Sequence, residues 1–431
     1  MEIANPRCLS NFHRTHTPFT FWASLSPSWD LIIIGFSTDG CATTNFEQVP
    51  PRGIELFKQG LLLLRPSYEE PTIEQVEALN LMTFYCYSLN RRKTAYAYAG
   101  MALRLAMLLG LSRPQTKMSL REQEHRKRIW WTTVCMDIMT CTELSLTPAA
   151  AFDEDSVGFP DNSELSVRDA EEFSDPQYLT AQVKLCRIKY QILKKISELR
   201  FGNAVEAQAL IEPCIHALKN WRLEFSPTLE FTEEGEFSDE TLTLPPMRTI
   251  ASLLLRYNQC LILLLRPLLL KQLYDIIHEQ VALEPLNDLA SLNTQCLQAA
   301  TNNTKIQFAL SKCHKIAKFG FWESLHIFSS LTVYVISGFL MEKRATSFTS
   351  AQTNVPYTPV RNLLGEMARV GNAASKDHER MIQDIEDLFR ETPSHTGLTE
   401  GIEDLGHWPE CVNVESMGFD VDETLSSFGW S

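Results

Sequence analysis

The side chains able to do chemistry in this 431-residue sequence are scattered, and most reactions lack a full set of them. Eleven cysteines stand singly, at Cys8, Cys41, Cys86, Cys135, Cys141, Cys186, Cys214, Cys260, Cys296, Cys313 and Cys411, and no two are separated by only two residues. Zinc knuckles and thioredoxin-like sites need that close pairing, because both sulfurs must reach one metal or one another. The odd count and irregular spacing instead describe buried free thiols in a reducing compartment. Cys8, His13 and His16 come nearest to a metal set, but they lie in an irregular stretch with no fourth ligand, so no metal is expected there. Asp153 and Asp155 could pair as acid and base, yet nothing positions them around a substrate. The sequence has no Gly-rich phosphate loop, no Gly-x-Ser-x-Gly elbow and no His-Glu-x-x-His helix. A chain that is not an enzyme, and that carries no cofactor, is the expectation.

Charge narrows the partners. Fifty-three acidic against 39 basic side chains give a formal net charge of −14. A phosphate backbone requires a basic face, so proteins fit better than nucleic acid. Two basic runs, Arg91-Arg92-Lys93 and Arg126-Lys127-Arg128, fall at or inside predicted helices and read as solvated faces or ion pairs rather than nuclear signals. The uncharged run from Ser324 to Met341 carries His326, Tyr334 and five more hydroxyl residues, which suits a buried core helix better than a membrane span. Arg256 and Arg266 break the leucine-rich stretch Leu253 to Leu270, which is core by the same reasoning. The short apolar stretch near Phe19 does not make a secretory signal.

The elements that must position these groups are helices. Residues 1–53 lack helical periodicity, and Leu31 to Ile34 could be a strand or a packed loop. From Ile54 the pattern turns helical, with a stop at Arg65-Pro66 and a capping box at Thr72 and Gln75 that opens a helix through Leu89. Tyr96–Leu109 has the strongest pattern. Ala95, Ala99, Ala102 and Ala106 give one small-residue face for close helix approach, while Tyr98, Met101, Leu105 and Leu108 give a bulky stripe. Being apolar on several sides, this helix is placed in the middle of a bundle. Gly110 stands at its C-terminal cap, and Ser119 with Glu122 opens the next helix, which runs to about Cys141. Residues 147–177 read as loop, and further helices cover roughly 178–200, 204–223 (bent at Pro213), 246–280, 285–319 and 322–343. An acidic insert occupies 226–246. The expected fold is all-α: a multi-helix bundle over 54–345, a Ser/Thr/Pro-rich linker at 346–360, and one amphipathic helix at 361–392.

Residues 393–431 contain no Lys or Arg. Their acids are interleaved with Trp408, Phe419, Phe428 and Trp430 among other apolar residues. This is the composition of a disordered activation segment, whose acids keep aromatic anchors solvated for a coactivator groove. An ordinary solvated C-terminus is the alternative.

The block from Tyr96 to Pro160 resembles the signature of the fungal-specific transcription factor domain, or middle homology region, of fungal zinc-cluster factors. The family's Tyr-x-x-Gly-x-Ala-x-Arg-x-Ala helix and Leu-Gly-Leu end are matched through Gly100, Arg104 and Gly110. Its Glu, spaced arginines, double tryptophan and helical Asp are matched by Glu124, Arg126, Arg128, Trp130, Trp131 and Asp137. Pro148, Asp153-Glu154-Asp155 and Phe159-Pro160 match its closing turn, acidic pair and Leu-Pro, although Leu146-Thr147 stands where the family has Gly-Arg. The likeness is good over 54–160 and looser to 345. These residues read first as structural: the tryptophans anchor a core, and the arginines pair with carboxylates or cap helix ends. An effector pocket lined by the same block is the functional alternative.

The resemblance implies a transcription regulator of RNA polymerase II genes, located in the nucleus, whose helical core gates the acidic tail. Its partners would be coactivators, related factors or a second copy, with a small-molecule effector as a further option. The six-cysteine zinc cluster that reads DNA in the family does not occur in these residues. Nor does the first part of the usual regulatory domain, which is missing or replaced. DNA contact, and zinc with it, would therefore come only through a cluster outside this sequence or on a partner. A stand-alone interaction protein, or an incomplete sequence, is the second reading.

Overall fold

The computed structural model describes residues 53–64, 70–114, 117–149, 157–197, 204–244, 246–277, 289–342 and 357–391. Thirteen helices account for the regular structure among them, and the sole β pairing there is an isolated bridge between Phe231 and Phe237 in the acidic insert. The fold class is all-α, as the periodicity predicts.

The helices are α1 (Ile54–Leu63), α2 (Ile73–Ser88), α3 (Arg92–Leu108), α4 (Leu120–Thr142), α5 (Val167–Ala170), α6 (Pro176–Ser197) and α7 (Ala204–Glu224). They continue with α8 (Asp239–Thr243), α9 (Met247–Ile277), α10 (Leu289–Lys312), α11 (Phe321–Glu342), α12 (Tyr357–Arg369) and α13 (Ala373–Glu391). Two hydrophobic cores organise them. The first joins α2, α3 and α4 to one side of α6, through Leu179, Val183 and Cys186, and to the start of α11, through Phe321, Trp322 and Leu325. The second gathers the opposite side of α6 with α7 and α9 to α13. The helices α6 and α11 are shared walls, so the two bundles form one packed body.

Local sequence explains the helix ends. Thr72 and Gln75 make the full capping box of α2, and Ser119 accepts a hydrogen bond from the Glu122 N–H at the start of α4. Three C-termini close with left-handed residues that sequence reading favours there: Asn90 (φ 54°), Gly110 (φ 66°) and Gly371 (φ 107°). At Gly110 the N–H of Leu111 reaches back to the Ala106 carbonyl at 3.0 Å and that of Gly110 to Met107 at 3.0 Å. These two bonds satisfy carbonyls that a helix end leaves open. Ser145 and His314 adopt the same conformation (φ 54° and 56°) without any glycine to signal it.

Several expectations change. The helix placed over Tyr96–Leu109 begins at Arg92, and it is not central. Its alanine face is wholly buried against α2 and α4, but Leu108 is 69 % exposed and Tyr96 and Met107 also face outward. Stripes on several sides did not mean burial on several sides, because among the described residues α2 and α4 are the main neighbours of this helix. The stretch 285–319 ends as helix at Lys312, where His314 turns the chain. The expected single helix at 361–392 is two, α12 and α13, separated at Gly371; α12 begins at Tyr357, inside the expected linker. Both pack on α11. The acidic insert holds the short helix α8 besides the bridge. The possible strand at Leu31 to Ile34 lies outside the described residues.

Two helical stretches, Met247–Tyr274 and Phe321–Met341, are long and apolar enough to cross a membrane. Their apolar windows are 72 % and 78 % buried within the fold, which agrees with the core reading of both.

Candidate functional site

The signature residues converge where α4 meets the 157–162 loop and α6. Eight residues of α4 spanning two helical turns, from Glu124 to Trp131, include both tryptophans and both arginines of the pattern. Trp131 is 2 % exposed, and its indole N–H donates to the Gly158 carbonyl at 2.7 Å. Gly158 has φ 72°, which turns the loop so that Phe159 stacks on Trp131 with ring centroids 5.5 Å apart. The Arg187 guanidinium of α6 lies 5.0 Å from the Trp131 ring and 5.6 Å from that of Phe159, an aromatic-cation contact from the neighbouring helix. Burial lowers the Arg187 pKa from its ordinary value. Trp130 is buried on the adjoining face, and Pro160 is buried where the loop leaves Phe159.

The arginines are committed to protein partners. Arg126 donates to the Leu109 carbonyl at 2.7 Å, which caps the C-terminus of α3 beside Gly110 and places a cation at the negative end of that helix. Arg128 is buried and donates to Glu124 at 2.8 Å, to the Ser174 carbonyl at 2.8 Å and to Asn162 at 2.8 Å. Burial lowers its pKa, and the Glu124 carboxylate opposes that shift. Glu124 also receives Lys127 at 3.1 Å and the Asp161 N–H at 3.1 Å. The basic run Arg126-Lys127-Arg128 is thus used up in internal bonds. By contrast, Arg91 and Lys93 are exposed.

Asp137, 1 % exposed, accepts the Ala149 N–H at 2.9 Å and the Cys141 thiol at 3.8 Å. It thereby holds the turn that carries Pro148, which is half-buried. That turn uses Ser145 as its left-handed residue in place of the family's Gly-Arg, and Leu146 N–H closes it on the Cys141 carbonyl at 2.8 Å. Gly100 is half-buried on α3. Arg104 is exposed and folds back to the Gly100 carbonyl at 3.2 Å, so these two motif residues sit apart from the cluster. Asp153 and Asp155 lie outside the described residues, as do Trp408, Phe419, Phe428, Trp430, Cys8, His13 and His16.

All eight described cysteines are free thiols, seven of them buried. A bond to Cys186, together with burial, holds the Cys135 thiol well above the ordinary range. No group of three His, Cys, Asp or Glu among the described residues is placed to hold a metal. What sequence reasoning missed is Arg187, whose role depends on α6 crossing α4, and the buried Glu77–His125 pair at 3.0 Å between α2 and α4. Burial raises the Glu77 pKa, and the bond to His125 opposes it.

This geometry is a packing unit in which Glu124, Arg126, Arg128, Trp131 and Asp137 each hydrogen-bond to another part of the protein. It matches the signature block of a known family. Residues 18–223 match the family model described as the fungal-specific transcription factor domain. Over those residues the chain is similar to that domain. The match begins in residues ahead of α1 and ends at the close of α7, so α8 to α13 lie beyond it. Among curated proteins the chain is 23 % identical over 290 residues to an uncharacterized transcriptional regulatory protein of Schizosaccharomyces pombe, covering 66 % of this chain and 35 % of that one. It is 25 % identical over 242 residues to Protein STB5 of Saccharomyces cerevisiae, covering 53 % and 31 % of the two chains. Transcription factor FBD3 of Gibberella moniliformis is 24 % identical over 212 residues, 46 % of this chain and 27 % of its own. The chain spans about a third of the length of the curated relatives it matches. No solved structure matches it.

Proposed function

We propose that these residues form the regulatory core of a fungal transcription regulator, working in the nucleus through protein contacts rather than by reading DNA. The carrying observation is the commitment of Arg126, Lys127 and Arg128 to Leu109, Glu124, Ser174 and Asn162. Those cations are spent on holding the fold and are not available to neutralise phosphates, and the remaining surface belongs to a chain of net charge −14. The core presents the tail at 393–431 to coactivators and gates its access. Sequence reading of DNA, and the zinc that goes with it, is supplied from outside these residues, by a cluster elsewhere in a longer protein or on a partner. The family is one of regulators, and no catalytic role is proposed.

Fluorescence-anisotropy titration of residues 1–431 against a randomised duplex pool tests the DNA side of this reading. We expect only weak, salt-sensitive binding without enrichment of a motif. A defined motif bound with the nanomolar affinity typical of specific readers would overturn it.

A further inference from the structure

The interior between α9, α10 and α11 is unusually polar for a bundle core. On α11, Glu323, His326 and Ser330 share one face and are all buried; on α10, Asn303 and Gln307 are wholly buried one turn apart; on α9, Gln259 is buried. Side-chain contacts lace the three helices together at this level. Gln259 donates to Ser329 at 3.1 Å, Gln307 donates to the Glu323 carbonyl at 2.9 Å, and Arg248 pairs with Glu323. With Gln307 against Glu323 and Thr304 against Tyr334 (2.7 Å), α10 and α11 run antiparallel, and Asn303 falls level with the His326–Ser330 turn.

Several polar atoms in this layer have no partner within the protein. They are Gln259 Oε1, Gln307 Oε1, both amide atoms of Asn303, and His326 Nδ1. Leaving five such atoms unmet would cost a large share of a domain's stability, so something polar answers them. Burial, reinforced by the positive charges of Arg256, Lys189 and Arg248, keeps the His326 ring neutral. Lys189 has Glu143 at 2.6 Å and Arg248 has Glu323. Arg256 has no carboxylate partner among the described residues. It is half-buried, one turn before Gln259 on the same helix, and so spans solvent and interior.

We propose that this layer is a binding site for a small carboxylic acid that also carries O–H or N–H groups. Arg256 takes the carboxylate at the entrance, and Gln259, Asn303, Gln307 and His326 take the hydroxyl or amino groups. The orphaned carbonyl oxygens require donors, and the Arg256 guanidinium offers a carboxylate a charge-assisted partner; one small molecule of this class meets both. The site lies beyond the signature block and beyond the matched family segment, on helices that the block's α6 contacts directly through α9. Its meaning as an effector site rests on the regulatory reading above. Its existence does not.

Calorimetric titration and thermal melts of residues 1–431 with malate, glutamate and lactate test it, with malamide as the neutral counterpart of malate. At least one acid should give a saturable heat and a melting temperature that climbs with concentration, while malamide gives neither. Arg256→Gln should weaken that binding on the order of tenfold or more, in line with loss of one charge-assisted bond. Asn303→Leu, which fills the layer with an apolar side chain, should abolish it while leaving the fold intact. If Arg256→Gln does not fold, Asn303→Leu alone decides. Absence of a saturable response to all three acids would mean internal hydration only, and would overturn the proposal. So would binding that survives both substitutions, or equal binding of malamide. Failure here leaves a tethered-reporter response untouched, so it is distinguishable from failure of the regulatory reading.

Discussion

At the residue scale, Trp131 holds more of the signature block together than any other side chain in it. It fills the junction of α4 and α6, donates to the Gly158 carbonyl, stacks on Phe159 and meets the Arg187 guanidinium, which also lies over Phe159. Trp131→Ala should lower stability by roughly 3–5 kcal/mol, the usual cost of removing a buried aromatic. An unchanged urea midpoint for this variant would show that the stack is peripheral. Two histidines add a pH dependence. His326 and His378 are both brought down to about 3, mainly by burial, and His378 also bonds Ser324 at 2.7 Å. Because the folded state keeps them neutral while the unfolded chain protonates them near 6.5, their contribution is full above that pH and is lost as pH falls toward 3. Each contributes a slope of up to about 1.4 kcal/mol per pH unit in that window. Glu77, with its pKa raised, works in the opposite direction as pH rises above the ordinary carboxylate range. Denaturant melts between pH 7 and 4 should show stability falling with acid, and His378→Asn should make that fall shallower. A pH-independent midpoint would contradict the burial of both rings.

At the element scale, what was legible followed from local rules. The capping box at Thr72, the Gly110 cap, the alanine face of α3 and the helical start at Ile54 depend on residues near one another in sequence, and each is present. What was not legible depended on partners far along the chain. The outward side of α3 carries Tyr96, Met107 and Leu108, and only tertiary neighbours decide whether such residues are covered. The stop at His314 has no glycine or proline to announce it. Gly371 was visible as a glycine, but the strong amphipathic pattern on both sides of it masked the break between α12 and α13. Its φ of 107° lies where side chains other than glycine are strained. Gly371→Ala should therefore cost roughly 1–3 kcal/mol, whereas Gly60→Ala, in the interior of α1 with open space around it, should gain up to about 1 kcal/mol. Equal melting temperatures for the two variants would contradict the break.

At the scale of the whole molecule, the candidate site was half visible. The motif residues Glu124, Arg126, Arg128, Trp130, Trp131 and Asp137 sit on one helix, so a linear pattern could find them. Their partners Phe159, Asn162, Ser174 and Arg187 come from a loop and from α6, and no spacing rule joins them to α4. The polar content of Ser324 to Met341 was readable as a reason against a membrane span, but not as a lining for the α9–α10–α11 interior. The described residues form a helical body in which Arg126, Lys127 and Arg128 are committed inward, with α12 and α13 packed on α11 ahead of the acidic, aromatic-bearing residues 393–431. Under the proposed function the core controls and the tail acts. Tethering residues 1–431, and separately residues 393–431, to a heterologous DNA-binding domain measures this directly from one reporter. The tail alone should activate strongly and lose its output when Trp408, Phe419, Phe428 and Trp430 are replaced by Ala, and the full chain should give a smaller, regulated output. An unchanged reporter from well-expressed nuclear fusions of both, or equal outputs from the two, would contradict a core that gates an activating tail.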